Sequence, residues 1–182
     1  MIQTDPSFFG YGSLVNLATH DYTNPRNATL FGWRRVWVAT TLRDTAFLSA
    51  ERYADAQIDG LLADVTGADW NALDLREAAY ARVDVTAQMA AQQATALYRV
   101  NGNLLAGNQA DAPILLSYLD VVVQGYLQRF GPQGVARFFA STSGWDRPIC
   151  DDRDQPRYPR SQRLSRSETE LVDACLATRV QM

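Results

Sequence analysis

The apolar period of this chain changes once, near residue 111, and that change limits the folds open to it. Before it, short β-branched and aromatic runs recur with turn signals between them; after it, apolar residues fall at helical spacing. Residues 7–12 read as a short strand entering a glycine turn. Residues 15–27 are polar and contain Asn24-Pro25, which predicts a loop. Residues 28–40 predict a long strand bent at Gly32, and 46–50 and 57–65 two more, separated by the polar stretch 51–56. Thr66 suits the N-cap of a helix over 67–76, with Asp69 in its positive first turn. Residues 79–86 alternate, placing Ala79, Ala81, Val83 and Val85 inward and Tyr80, Arg82 and Asp84 outward. A strand over 94–100 ends at the turn Asn101-Gly102-Asn103.

Past residue 111, Leu115, Leu119, Val122, Val123 and Tyr126 predict a helix over 114–129, closed by Gly131-Pro132, with a shorter helix over 133–140. The Arg- and Pro-rich stretch 144–163 has no apolar period and reads as an extended surface segment. A last helix is expected over 166–179, with Ser167 as cap and Glu170 completing a capping box. Strands with one inserted helix, then helices, is α+β logic. The expectation is a mixed, largely antiparallel sheet or partial barrel with one inserted helix, followed by C-terminal helices. A length of 182 residues suits a single domain, with a strand-rich part over 1–110 and a helical part over 111–182.

Composition removes several chemistries. All 17 basic residues are Arg and none is Lys, so a Schiff-base lysine and a P-loop lysine are excluded. A net charge of −3 argues against nucleic-acid binding. No apolar run approaches the ~18 residues of a membrane-spanning helix. The N-terminal residues carry neither a basic nor an apolar leader, so a cytoplasmic protein is expected. One histidine, His20, cannot build a His-rich metal site, and Cys150 and Cys175 lack metal-type spacing. A bridge between the two is open, but reduced thiols are the expectation. Oligomeric state is not legible.

Two places carry candidate chemistry. In Phe9-Gly10-Tyr11-Gly12-Ser13-Leu14, two glycines at a strand end permit a nest of backbone N–H groups for an anion; the plainer reading is an ordinary tight turn. It is not a dinucleotide fingerprint, since the third glycine is missing. The second is Glu77. Trp70, Leu73 and Glu77 share one face of the expected helix, which aims a carboxylate inward as a candidate general base or acid. The plainer reading is an ion pair with Arg76 or Arg82. A Ser13–His20 hydrolase pair is weak because G-x-S-x-G is absent. Alternation leaves one of Arg34 and Arg35 solvent-facing, and the aspartates at 151, 152 and 154 lack EF-hand spacing.

These motifs, in this order, resemble the gamma-glutamylcyclotransferase-like superfamily. The loop Tyr11-Gly12-Ser13-Leu14 is similar to the family's Y-G-S-N/L loop, and Leu30 to Trp37 looks like its Gly-aromatic-Arg-Arg strand in the glutathione-directed branch. Ile58 to Val65 resembles the strand before its helix, and Leu73 to Val85 resembles L-D-x-x-E followed by Y-x-R-x-x-V. Ala78 stands where the family often has Gly, and the tail from 144 has no evident counterpart. The resemblance implies a small-molecule gamma-glutamyl substrate bound by Tyr11, Gly12, Ser13 and Leu14, with Tyr118 and Tyr98 as further binding residues. Glu77 would be the catalytic proton carrier in release of 5-oxoproline and an amine or amino acid, with no metal and no cofactor required. Readings that keep the pocket but change the outcome are a gamma-glutamyl amine substrate and a non-catalytic binding module. The segment 147–163 would serve either as a docking strip for an acidic partner or as a lid over the pocket.

Overall fold

A computed structural model describes residues 5–90, 93–107 and 111–179. Met1 to Thr4, part of the stretch inspected for a leader, lie outside the described residues, as do the last three residues of the helical part. Six strands form one mixed sheet: β1 (Ser7–Gly10), β2 (Thr23–Thr40), β3 (Arg43–Asp64), β4 (Tyr80–Asp84), β5 (Thr95–Val100) and, entering later in the chain, β7 (Thr142–Ser143). Their order is β4-β5-β1-β3-β2-β7. The β1–β5 and β2–β7 pairs are parallel and the rest antiparallel. A two-stranded parallel pair joins β6 (Ile114–Leu115) to β8 (Ile149–Cys150). The α+β class with a largely antiparallel sheet is thus realised.

Several boundaries differ from expectation. The loop expected over 15–27 is two 3-10 turns and then the start of β2. The two strands expected on either side of 51–56 are one: Glu51 and Arg52 pair with Arg34 and Trp33, residues 53–56 bulge opposite Gly32, and pairing resumes at Gln57 with Phe31. Residues 52–55 are exposed there, so polar side chains cost nothing while the bulge takes up the extra residues. Arg34 pairs with Glu51 at 2.6 Å across it. The bend at Gly32 is real: its φ of 74° coincides with a register shift between Phe31 and Trp33, a bulge that residues with a Cβ resist.

The inserted helix α1 (Asn71–Arg76) starts later than expected, after a 3-10 turn over Thr66–Ala68. Asp69, not Thr66, bonds its first turn, accepting the Asn71 N–H at 3.0 Å. The two expected helices over 114–140 run together as α2 (Leu116–Ala140), broken at Gly131 with Pro132 opening the second half. The first half is buried on nearly every side. It packs on the sheet through Leu119, Val122, Val123 and Tyr126 against Trp33, Trp37 and Leu48. It also packs against the turn after β1, where Asn16 Nδ2 donates to the Val121 carbonyl and to Gln124. For α3 (Arg166–Arg179) the capping box is Ser165 with Glu168, which exchange backbone N–H bonds at 2.7 and 3.3 Å. Glu170 instead pairs with Arg166, four residues before it.

The segment 144–163 is pinned rather than draped. Asp152 lies buried at the start of α2, accepting the Ser117 N–H at 2.8 Å, the Ser117 hydroxyl at 2.5 Å and the Arg157 N–H at 2.8 Å. Its carboxylate supplies the cap that Leu115 cannot. Burial works against the charged form, but these hydrogen bonds outweigh it and hold the carboxyl below its ordinary range. Arg153 bridges Asp120 and Asp173, each at 2.8 Å. The aspartate run therefore serves packing, and Cys150 and Cys175 are both free thiols.

Candidate active site

A cavity of about 650 Å³ opens where the turn after β1, the start of β3, the end of α1 and the segment 158–160 meet. Tyr11, Gly12, Ser13 and Leu14 line one wall, and Glu77, Tyr98 and Tyr118 line others, so all seven residues singled out from the sequence meet at one site. Tyr80, Tyr158 and Arg160 line it too and were not anticipated. Tyr80 had been placed on the outward face of its strand; here it packs inward and its hydroxyl donates to the Leu48 carbonyl at 3.0 Å. No pattern in the local sequence marks Tyr158 or Arg160.

Glu77 reaches the cavity by a route the helical period does not describe. It is the C-cap of α1, at φ −100° and ψ 31°, with its N–H on the Leu73 carbonyl at 2.9 Å. The chain leaves the helix there, and that exit, rather than a shared face with Trp70 and Leu73, sets the carboxylate. Arg76 Nε lies 3.2 Å from Glu77 Oε1, with the two side chains only 9% and 16% exposed. Arg82 is committed elsewhere, to Asp74 at 2.9 Å. Desolvation is the largest influence on Glu77 and raises its pKa; Arg76 and Arg160 pull the other way without cancelling it. The result is a carboxylate that takes a proton more readily than an exposed glutamate.

The glycine loop is held from behind by a buried cation. Arg35, fully buried, donates through Nε to the Tyr11 carbonyl at 3.1 Å and through Nη1 to Ser141 Oγ at 2.8 Å. Its Nη2 reaches the Asp59 carbonyl and the Tyr126 hydroxyl. Sequence alternation correctly put one of Arg34 and Arg35 in solvent, but gave no sign that the other is a buried strut. Tyr11 in turn donates its hydroxyl to the Tyr98 carbonyl at 2.5 Å. The Tyr98 hydroxyl is itself taken by Asp74. Burial pushes the Tyr118 phenol well above its ordinary pKa, with Tyr158, Tyr11 and Glu77 adding to it, so it stays protonated at neutral pH. A Cβ on Gly12 would lie 2.6 Å from the Tyr118 hydroxyl, so glycine here permits the tyrosine to reach the loop.

His20 is structural. Its Nδ1 accepts the Tyr22 N–H at 3.2 Å, which leaves Nε2 to donate to the Leu14 carbonyl at 2.9 Å. Both ring nitrogens are occupied by backbone, and no Ser13–His20 relay forms. Burial lowers its pKa, in keeping with a neutral ring. Among the described residues no three of His, Cys, Asp and Glu cluster as metal ligands, and no helix is long and apolar enough to cross a membrane.

No protein-family model and no curated protein sequence matches this chain. Solved structures do. A gamma-glutamyl cyclotransferase superimposes with a TM-score of 0.60 over 93% of this chain and 99% of that one, at 13% identity. The chain has the gamma-glutamyl cyclotransferase fold. An uncharacterised protein from Homo sapiens aligns with a TM-score of 0.60 over 94% of this chain and 99% of its own, at 14% identity. YkqA from Bacillus subtilis aligns at 0.57 and 16% identity over 73% of this chain, which spans about half (52%) of YkqA. Within the cyclotransferase fold, the 144–163 segment adds Tyr158, Pro159 and Arg160 to the cavity wall. The resemblance carried by residues 7–100 is therefore matched by the architecture of the whole.

Proposed function

We propose that this chain is a gamma-glutamyl cyclotransferase, with Glu77 as the proton carrier. The observation that supports the reading most is the nearly buried Glu77 carboxylate, its pKa raised, on the same cavity as the Tyr11–Leu14 loop. The substrate's glutamyl end would bind along Tyr11, Gly12, Ser13 and Leu14, with Tyr118 donating from its neutral phenol. Glu77 removes one proton from the α-ammonium group. The freed amine attacks the gamma carbonyl carbon of the same molecule and closes a five-membered ring. The bond from that carbon to the departing nitrogen then breaks as Glu77 returns its proton to that nitrogen, and the ring nitrogen gives up its second proton to the released amine, which leaves as an ammonium. The products are 5-oxoproline and a free amine or amino acid. Both reacting groups belong to one molecule, so holding it in a folded-back geometry removes much of the barrier. Backbone N–H groups of the glycine loop would stabilise negative charge on the carbonyl oxygen. The scheme calls on no metal and no cofactor.

A second reading keeps the cavity but not the reaction: a binding module for a small amino-acid-like ligand. The Arg76–Glu77 ion pair favours it, because a guanidinium beside a carboxylate weakens it as a base. One assay separates the two. Release of 5-oxoproline from a panel of gamma-glutamyl peptides and amines, absent in Glu77→Gln, supports the enzyme. Saturable binding of the same compounds with no release supports the module.

A further inference from the structure

One side chain joins the glycine loop to the end of α1. Thr19 closes the second of the two 3-10 turns after β1 and is 8% exposed. Its hydroxyl lies 3.0 Å from the Ser13 carbonyl, in the loop, and 2.9 Å from the Asn16 carbonyl. Carbonyls only accept, so the hydroxyl proton is committed to them and the free lone pairs of Oγ1 face elsewhere. Arg76 takes them. Its Nη2 donates to Thr19 Oγ1 at 3.2 Å and its Nη1 to the Thr19 carbonyl at 2.8 Å. The turn is fixed in place, because the buried Asn16 donates through Nδ2 to the Val121 carbonyl at 3.0 Å and to Gln124 Oε1 at 2.9 Å.

Both terminal amino groups of Arg76 are thus held by Thr19, and the ion pair with Glu77 is made from Nε. Nη2 shares an edge of the guanidinium with Nε. Along such an edge an arginine can close on a carboxylate with two parallel hydrogen bonds. A carboxylate gripped that way is a poorer base, since the pair favours its charged form. The cations acting on Glu77 are Arg76 and, from the 158–160 segment, Arg160. The phenols acting on it are Tyr11 in the loop, Tyr22 before β2, Tyr80 on β4 and Tyr118 on α2, each kept neutral by burial. His20, near Arg76, is neutral as well.

We propose that Thr19 is a positioning residue for the proton transfer: by occupying Nη1 and Nη2 it keeps Arg76 from closing edge-on over Glu77, so the carboxylate stays free to take a proton. This rests on the cyclotransferase reading above and deepens it. Removing the Thr19 hydroxyl therefore acts on Glu77 in the opposite sense to removing Arg76.

The test reads Glu77 directly. The chain has four glutamates, Glu51, Glu77, Glu168 and Glu170, so carboxyl-carbon NMR of glutamate-labelled protein is simple, and Glu77→Gln assigns the signal that matters. Thr19→Val removes the hydroxyl and keeps the shape. The Glu77 titration midpoint should then fall by about 0.5 pH or more as Arg76 closes on it. The acidic limb of kcat/KM for 5-oxoproline release should move down with it. The same variant should lower kcat by about threefold or more with KM within about twofold of wild type. Thr19→Ser keeps the hydroxyl and should keep the wild-type midpoint. In an Arg76→Gln background, Thr19→Val should leave the midpoint where it stands. A midpoint that holds or rises in Thr19→Val, or that falls equally without Arg76, overturns the inference. Wild type gives a check that needs no variant of Thr19: nitrogen NMR should show separate Arg76 Nη1 and Nη2 signals, and signals averaged by free rotation overturn the inference too. Release of 5-oxoproline with an unmoved midpoint overturns the inference and leaves the reaction standing. A lowered midpoint with no release from wild type overturns the reaction, and the positioning role with it.

Discussion

Arg76 and Glu77 are adjacent in sequence, share an ion pair of 3.2 Å, and together close the end of α1 over the cavity. Arg76 is itself anchored, donating to the Thr19 carbonyl at 2.8 Å and to Thr19 Oγ1 at 3.2 Å. The pair is therefore a fixed electrostatic setting for the carboxylate rather than a mobile surface contact.

Glu77→Gln should fold and lose turnover by about 10²-fold or more, the usual scale for removing a general acid–base group. The pH dependence of stability provides an independent check. A carboxyl whose folded pKa is raised binds more protons in the native state, so its contribution favours folding at low pH. That contribution declines as pH rises from the unfolded value through the raised one. Urea unfolding across that window should show this decline in wild type and its loss in Glu77→Gln.

Arg76→Gln removes the second-largest influence on Glu77, one that lowers its pKa. The acidic limb of the kcat/KM profile, where Glu77 must be unprotonated to act as base, should move to higher pH. An unmoved limb in a folded variant would separate the activity from this carboxylate.

Arg35→Lys should destabilise the protein by roughly 3 kcal/mol, the scale for breaking a buried, fully bonded cation. A lysine cannot reproduce the planar fork that reaches the Tyr11 and Asp59 carbonyls and the Ser141 and Tyr126 hydroxyls together. Denaturant unfolding measures the loss.

Gly12→Ala drives a methyl group against the Tyr118 hydroxyl and should impair both stability and activity. Tyr118→Phe removes that oxygen, and the ring carbon behind it stands 3.9 Å away. The double variant should therefore recover part of the stability lost in Gly12→Ala, with a coupling of about 1 kcal/mol or more in a double-mutant cycle.

Asp152→Ala leaves the start of α2 uncapped and should cost about 1 kcal/mol, with faster proteolysis within 144–163. The Asp152 pKa is depressed on folding, so its stabilisation is present above the unfolded value and fades as pH falls through the folded one. The gap between wild type and variant, read from unfolding midpoints, should close over that acidic window.

Some of this architecture is written locally in the chain. Alternation and turn chemistry marked β1, β4 and β5, the bend at Gly32, and both halves of α2 on either side of Gly131-Pro132. Each depends on backbone preferences within a few residues, which a single sequence carries. The polar stretch 51–56 misled because the strand crosses it as an exposed bulge held by the pairs at Arg52 and Gln57, and no buried face marks such a bulge. Ser167 and Glu170 had the spacing of a capping box, yet Ser165 and Glu168 form it, since overlapping serines and glutamates offered two registers.

The loop Tyr11–Leu14 and the glutamate at position 77 were legible as residue types suited to a site. What gathers them was not. Arg35 supports the loop from a strand 24 residues away, Asp152 brings Tyr158 and Arg160 to the cavity, and Glu77 points inward because α1 ends beside it. The chain by itself determined the strand and helix pattern and the chemical groups on offer, because these are properties of short segments. The tertiary structure alone decided which of those groups share a desolvated space. Burial, and with it the raised pKa of Glu77, arises from residues distant in sequence closing over the same point.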